Sequence, residues 1–249
     1  MALDRRLLLV ALAAGSYGLA FLQRTGEAVT DTRIELSVNP AQFLERVGWL
    51  WSATSDLGHV QSGNFVGYLA PMGPFFAGGD ALGLPMWMVQ RLWLGTLLFL
   101  AAWGVVKLME ALMPRRGLAA AGAAAVVFVL SPYVVLYTSR GTVTLVTYAA
   151  LPWLMLSVHR GLAEGARWRW PALFGLLLAL TPGGVNAAVI AFALLGPVAL
   201  VLYELYVGAA DRRAARAFAW RAALAGALGS AWWLVPLLVQ FKFGENFLP

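Results

Sequence analysis

The sequence predicts an all-α fold, a polytopic bundle of transmembrane helices. Three observations carry this. Hydrophobic residues make up 61% of the 249 and charged residues 12%, whereas soluble domains are about half apolar and roughly a quarter charged. The mean hydropathy is +0.74. Apolar runs of span length recur from Met86 onward, separated by short basic or glycine-containing loops. The same composition excludes several chemistries. With no cysteine, disulfides and thiol nucleophiles are ruled out. His59 and His159 lie far apart and form no metal motif. No cofactor is therefore expected, and a divalent-metal requirement is left open. The net charge of +6 is read as the loop bias that orients membrane helices, with no nucleic-acid partner.

The first apolar run, Leu7 to Leu22, follows Asp4-Arg5-Arg6. A basic start before an apolar core also describes a signal peptide. The polar stretch Gln23-Arg24-Thr25-Gly26-Glu27 offers no clean small-x-small cleavage site, so an uncleaved first span is expected.

An outer loop follows, residues 23–85. Thr30-Asp31-Thr32-Arg33 lies just beyond the first span. Ile34 to Val38 is too short to assign. Asn39-Pro40-Ala41-Gln42 reads as a helix start, with Asn39 as cap, Pro40 at the first helical position and Gln42 at capping-box spacing. From Pro40 to Trp51, the residues Phe43, Leu44, Val47, Leu50 and Trp51 share a face opposite Gln42, Glu45 and Arg46. That pattern predicts an amphipathic helix lying at the outer membrane interface. Ser52 to Gly83 reads as irregular, because glycines alternate with aromatics and Pro71 and Pro74 interrupt helical periodicity.

The second span is expected over Met86 to Leu112, with Lys107 and Glu110 paired one turn apart. The third runs from Leu118 to Tyr137 and the fourth from Thr142 to Val158. Pro171 to Val207 is apolar but interrupted by Thr181-Pro182-Gly183-Gly184-Val185-Asn186. Arginines flank it on both sides, which predicts a hairpin of two helices turning at Pro182-Gly183-Gly184. A last span covers Ala222 to Phe241. About seven spans in a single domain, residues 1–249, follow from this count. With the N-terminus cytoplasmic, twelve of the eighteen Lys and Arg residues fall inside and six outside. The expected location is the plasma membrane, multi-pass, with the Asp31 loop on the extracytoplasmic face.

The outer side then holds Asp31, Arg33, Asp56, His59, Arg91 and Arg140. One carboxylate can serve as a general base toward a sugar hydroxyl. Arginines can bind a phosphate and stabilise its developing charge. Single arginines near span ends also snorkel to the interface, and Asn186 beside the glycine turn also suits a helix cap.

Several runs carry a resemblance. Thr30-Asp31-Thr32-Arg33, Phe43-Leu44, His59-Val60-Gln61, Gly67-Tyr68-Leu69-Ala70-Pro71-Met72-Gly73-Pro74-Phe75-Phe76, Gln90-Arg91-Leu92-Trp93 and Gly183-Gly184-Val185-Asn186-Ala187 are similar to the N-terminal membrane region of the actinobacterial AftD arabinofuranosyltransferase family, of the GT-C superfamily. The resemblance implies a GT-C-like bundle that transfers arabinofuranose from decaprenylphosphoryl arabinose to cell-wall arabinan, in arabinogalactan or lipoarabinomannan. It implies Asp31 as the base, Arg33, Arg91 and Arg140 at the donor phosphate, and His59, Gln61, Tyr68 and Asn186 along the substrate groove. The family's proteins are several times longer. The chain is therefore expected to be the N-terminal part of a longer protein, whose remaining part or another membrane subunit would be its partner, with the lipid bilayer around it. The alternative is a non-catalytic GT-C-like partner or lipid-handling protein. A transporter would carry mid-span charges and repeated halves, and neither is evident.

Overall fold

Local signals set most helix ends. In the computed structural model, residues 4–29, 33–53, 58–60, 65–164, 167–208 and 211–243 are described. Helix α1 spans Arg5–Phe21, and the Asp4 carboxylate accepts from the Arg6 backbone N–H at 2.8 Å, as an N-cap should. Two short helices follow, α2 (Ile34–Val38) and α3 (Pro40–Val47). The expected cap of α3 is present: Asn39 Oδ1 accepts from Gln42 N–H at 3.0 Å, and its amide donates to Gln42 Oε1 at 3.4 Å.

The amphipathic helix is shorter than its sequence suggested. It ends at Val47, with Gly48 as C-cap. Trp51–Ser52 instead forms strand β1, which pairs antiparallel with His59–Val60, strand β2. Phe43 and Val47 are buried as expected, while Trp51 is exposed. Three turns of apolar periodicity were legible, but the helix ends after two of them, at a glycine of low helix propensity.

The stretch expected to be irregular also contains order. A 3-10 turn covers Val66–Tyr68 and helix α4 covers Met72–Ala81. Pro74 does not break α4 because it lies in the first turn, where backbone N–H groups have no intrahelical acceptor. The burial of Met72, Phe76 and Gly79 sets its inner face.

Helix α5 (Met86–Leu112) is the central strut, contacting α1, α4, α6 (Leu118–Val129) and α8 (Thr142–Ala163). The N-terminus of α1 meets the C-terminus of α5 through Arg5 Nη2 and Glu110 Oε2 at 2.9 Å. Glu110 thus pairs across helices with Arg5, not within its own helix with Lys107. Farther along, Tyr17 and Thr96 hydroxyls bond at 2.9 Å.

The expected third span is divided. After α6, Ser131 caps a new helix α7 (Pro132–Tyr137) by accepting from Val134 N–H at 3.4 Å. The hairpin is present: α9 (Arg169–Leu180) and α10 (Ala187–Tyr206) are separated by residues 181–186. Helix α11 runs from Arg212 to Phe243. Its 32 residues span about 48 Å at ~1.5 Å per residue, beyond the roughly 30 Å hydrocarbon thickness. The arginine-bearing first turns, Arg212 to Arg221, account for the excess.

Among the described residues, five helical stretches are long and apolar enough to cross a membrane: α5, Leu118–Tyr137, α8, α10 and α11. Helices α1 and α9 fill the other two expected positions with 17 and 12 residues, under the about 20 a span ordinarily needs. Helix α9 is held instead by α11. Gly175 and Ala179 face Ala225 and Gly229, so that a Cβ at Gly175 would lie 2.5 Å from that of Ala225. Small residues four apart on both helices let the backbones approach. Trp232 Nε1–H donates to the Ala179 carbonyl at 3.0 Å across the same contact.

Candidate functional site

The loop after α1 is fastened to the start of α5 by two adjacent polar side chains. Gln90 Oε1 accepts from Val29 N–H at 2.8 Å, and Gln90 Nε2 donates to the Val29 carbonyl at 2.9 Å and to Ser37 Oγ at 3.1 Å. The side-chain amide therefore meets Val29 as a neighbouring strand would. Arg91 Nη2 donates to the Glu27 carbonyl at 2.9 Å. Both side chains are buried, Gln90 at 7% and Arg91 at 3% exposure. Among the described residues Arg91 Nε has no hydrogen-bond partner. A buried guanidinium needs acceptors for its N–H groups, and the Glu27 carbonyl takes one of them.

Asp31 and Gln61 lie outside the described residues, as does Asp56. The chain on the near side of residues 30–32 is held by Gln90 and Arg91. On the far side, the Arg33 guanidinium lies over the Phe65 ring at 3.9 Å. Arg46 approaches the same ring at 5.2 Å and pairs with Glu35 at 3.6 Å. A cleft of about 600 Å³ opens between α2 and α3, lined by Glu35, Asn39, Gln42, Glu45, Arg46 and Trp49 among others.

The remaining expected residues divide. Tyr68 is 1% exposed and packs edge-on against Phe43 at 6.2 Å, a core position under α3 and not an open groove. His59 is half-buried in β2, opposite Ser52. Arg140 is exposed on the turn between α7 and α8; among the described residues no contact joins it to Arg33 or Arg91. Asn186 caps α10, its Oδ1 accepting from Ala188 N–H at 3.0 Å. Among the described residues no cluster of His, Asp and Glu could hold a metal ion.

One contact ties the loop to the hairpin. A Cβ on Gly67 would collide with Val185, and would come within 3.0 Å of Gly184. The 3-10 turn thus rests directly on the α9–α10 turn, which only a residue without a side chain allows. Val66 packs there with Ile190 and Trp233. Arg33, Arg91 and the Asn186 turn consequently belong to one end of the bundle, joined through α2, α3 and the 3-10 turn.

Gln90 is the residue that sequence reasoning missed as an individual. A polar amide in the second turn of an apolar helix was the available signal, since such a group must find partners. A second omission is the tyrosine cluster at the entrance of α8. Tyr133, Tyr137, Thr147, Tyr148, Asn186 and Phe192 border a cavity of about 390 Å³ beside the α9–α10 turn.

Comparison with known proteins gives consistent matches. A family model described as the N-terminal GT-C domain of alpha-(1->3)-arabinofuranosyltransferase matches residues 16–249. The chain is 35% identical over 243 residues to the alpha-(1->3)-arabinofuranosyltransferase of Mycolicibacterium smegmatis, covering 95% of this chain and 16% of that protein. It is 34% identical over 242 residues to the alpha-(1->3)-arabinofuranosyltransferase of Mycobacterium tuberculosis, covering 95% of this chain and 17% of that one. The cryo-EM structure of arabinofuranosyltransferase AftD from Mycobacteria superposes with a TM-score of 0.82 at 32% identity, covering 99% of this chain and 18% of that chain. A mutant of the same enzyme gives a TM-score of 0.85 at 34% identity, covering 99% and 19%. The chain thus spans about one-sixth of the length of the curated relatives it matches.

Proposed function

The chain belongs to the family of N-terminal GT-C domains of alpha-(1->3)-arabinofuranosyltransferases, and from that membership we propose that it is the membrane portion of an enzyme that transfers arabinofuranose from decaprenylphosphoryl arabinose to cell-wall arabinan. In this reading an acceptor hydroxyl oxygen bonds to the anomeric carbon of the donor sugar. The bond from that carbon to the phosphate oxygen breaks, and the lipid phosphate leaves with the electron pair. Asp31 takes the hydroxyl proton as general base. Arg33, Arg91 and Arg140 bind the phosphate and stabilise the charge it gains. The orientation is the one the cation bias favours, with this end of the bundle outside the cell and the N-terminus inside.

The observation that carries the reading is the double anchor of Gln90 and Arg91 on Val29 and Glu27. Two buried polar side chains fix the backbone immediately before the segment that bears Asp31. A loop of no consequence would not require partners of that kind in the wall of an apolar helix. The second reading is a non-catalytic GT-C-like partner or lipid-handling protein, which the cavity of about 410 Å³ lined by apolar residues of α8, α9, α10 and α11 favours.

Transfer of radiolabel from polyprenyl-phosphoryl arabinofuranose to an arabinan acceptor separates the two. The assay uses membranes carrying this chain alone, and membranes in which it replaces the matching region of a full-length relative. Transfer by the second preparation, lost on substitution of Asp31, supports the enzymatic reading. No transfer in either preparation, with both proteins folded in the membrane, overturns it in favour of the partner reading.

A further inference from the structure

We propose that the cleft between the last turn of α10 and the first turns of α11 seats an anionic phospholipid, with its phosphate on Arg212 and Arg216 and one acyl chain in the apolar cavity that continues from it. This goes beyond the transferase reading and does not depend on it, because the site lies at the opposite end of the bundle from Gln90 and Arg91.

The spaces for head and tail adjoin. The cleft has a volume of about 530 Å³ and is bordered by Val201, Leu205, Tyr206, Arg212, Arg216 and Ala219 among others. Val201 and Ala219 also border the apolar cavity of about 410 Å³. The two therefore form one space, cationic at its mouth and hydrocarbon-like beyond. Helix α10 packs on α8 and α11 on α9, with little contact between α10 and α11 themselves. Val158, Phe174 and Leu178, on α8 and α9, line the space left between them. Val198 and Leu202 border it from α10 and stay 52% and 47% exposed, so this side faces the bilayer.

The arginines sit at the right depth for a phosphate. Trp168 and Trp220 pack edge to face at 5.8 Å, and both are about half exposed. Exposed indoles of this kind mark the headgroup level of a bilayer. Arg216 and Arg212 precede Trp220 on α11 by about one and two turns, which places them about 6 and 12 Å farther from the bilayer centre at ~1.5 Å per residue.

Their charge is not used within the fold. Both are exposed, and among the described residues neither forms an ion pair. Arg216 Nε–H donates to the Arg212 carbonyl at 3.4 Å, which leaves its Nη groups to the cleft. The nearby acids have other partners: Asp211 accepts from Arg213 N–H at 3.2 Å, and Glu204 lies 3.8 Å from His159. Arginines that only orient a span need no cavity beside them. Two guanidiniums at the mouth of an apolar cavity favour a lipid of net negative charge over a zwitterionic one, whose own cation they repel.

The tail space selects a chain over a helix. Along α11 it runs from Ala219 to Trp233, about 21 Å at ~1.5 Å per residue, more than the ~15 Å of one leaflet's hydrocarbon. Its volume over that length leaves a cross-section of about 20 Å², against roughly 80–110 Å² for an α-helix 10–12 Å across. A single hydrocarbon chain fits such a furrow, and a partner's transmembrane helix does not.

The test titrates the intact, delipidated chain in detergent with phosphatidylglycerol and with phosphatidylcholine of the same acyl chains, and counts bound lipid by native mass spectrometry. One saturable phosphatidylglycerol is expected, preferred roughly tenfold or more. Arg212→Gln with Arg216→Gln should weaken it roughly five- to thirtyfold. Arg115→Gln with Arg116→Gln removes the same charge from another loop at this end and should leave it unchanged. Ala223→Phe, which fills the furrow from α11, should weaken both lipids alike. Unfolding temperatures of the lipid-free variants verify that each is folded. Equal affinity for the two lipids overturns the proposal, as does unchanged affinity in the Arg212 and Arg216 variant or in Ala223→Phe. An equal loss in the Arg115 and Arg116 variant, competition by glycerol phosphate alone, or a dimer that excludes lipid overturns it as well. Turnover is not read, so the result stands apart from whether the chain transfers arabinofuranose.

Discussion

Gln90 satisfies both backbone groups of Val29 with the two ends of one amide, at 2.8 and 2.9 Å. A helix side chain here does what a β-strand neighbour would do, beside the buried Arg91 on a helix that is mostly apolar. Gln90→Leu removes both partners and leaves buried peptide groups unsatisfied, at about 1–3 kcal/mol. Amide hydrogen exchange across residues 22–38 is expected to accelerate by roughly tenfold or more, with exchange in α8 unchanged. Equal exchange in both proteins would show that the loop does not depend on this clamp.

The membrane-bundle fold was legible because composition and span-length apolar runs are set by the bilayer itself. The hairpin at residues 181–186 was legible from the arginines on either side of it. The end of α3 and the existence of α4 were not. In the first case amphipathic periodicity continued past Gly48 while the backbone did not. In the second, Pro71 and Pro74 were taken to interrupt a helix that Pro71 precedes as N-cap and whose first turn Pro74 occupies. The role of Gln90 depends on which backbone groups lie opposite, and the tyrosine cluster at the entrance of α8 depends on how α7 and α8 meet. Both are tertiary facts. For Glu110, spacing pointed to Lys107 as partner, whereas the antiparallel packing of α1 brought Arg5 to it.

The close approach of α9 and α11 predicts an asymmetric response to side-chain size. Gly175→Val would force its new atoms into the Ala225 backbone, 2.6 Å from a single Cβ. Overpacking of this kind costs roughly 1–3 kcal/mol, so Tm in detergent should fall by several degrees. At Gly226 a Cβ would meet only the flexible end of Leu178, at 3.1 Å, and Gly226→Ala should change Tm little. Similar losses from both would argue against a specific seam at Gly175.

The Arg5–Glu110 pair is partly exposed, at 42% and 30%. A double-mutant cycle with Arg5→Met and Glu110→Gln should give a coupling of about 0.2–1 kcal/mol that shrinks in high salt. The corresponding cycle between Lys107 and Glu110 should give none. A larger Lys107 coupling would place Glu110 in its own helix's ion pair instead.

Topology can be tested cleanly because the chain has no cysteine of its own. With the N-terminus inside, Thr25→Cys should react with a membrane-impermeant thiol reagent applied to intact cells, and Gly117→Cys should react only after permeabilisation. Both positions are exposed in the structure. The reverse pattern would invert the orientation and put the Gln90–Arg91 end inside the cell.

The final prediction separates the base from the phosphate ligands. Asp31→Asn keeps shape but removes the proton acceptor, and loss of a general base typically costs about 10²–10⁴-fold in rate. Donor affinity should change little, because in this mechanism arginines hold the phosphate. Arg140→Ala is the clean counterpart, since Arg140 is exposed and removing it disturbs no packing. It should raise the donor Kd while leaving the rate at saturation closer to normal. Arg91→Ala should do more than either: it removes a phosphate ligand and also the Glu27 carbonyl's donor, so donor affinity, rate and loop protection should fall together. The three variants are compared in a full-length relative carrying this region, by transfer rate and donor affinity on membranes with equal protein. Normal transfer by Asp31→Asn would remove Asp31 as the base. Unchanged donor affinity in Arg140→Ala would leave the phosphate to Arg33 and Arg91.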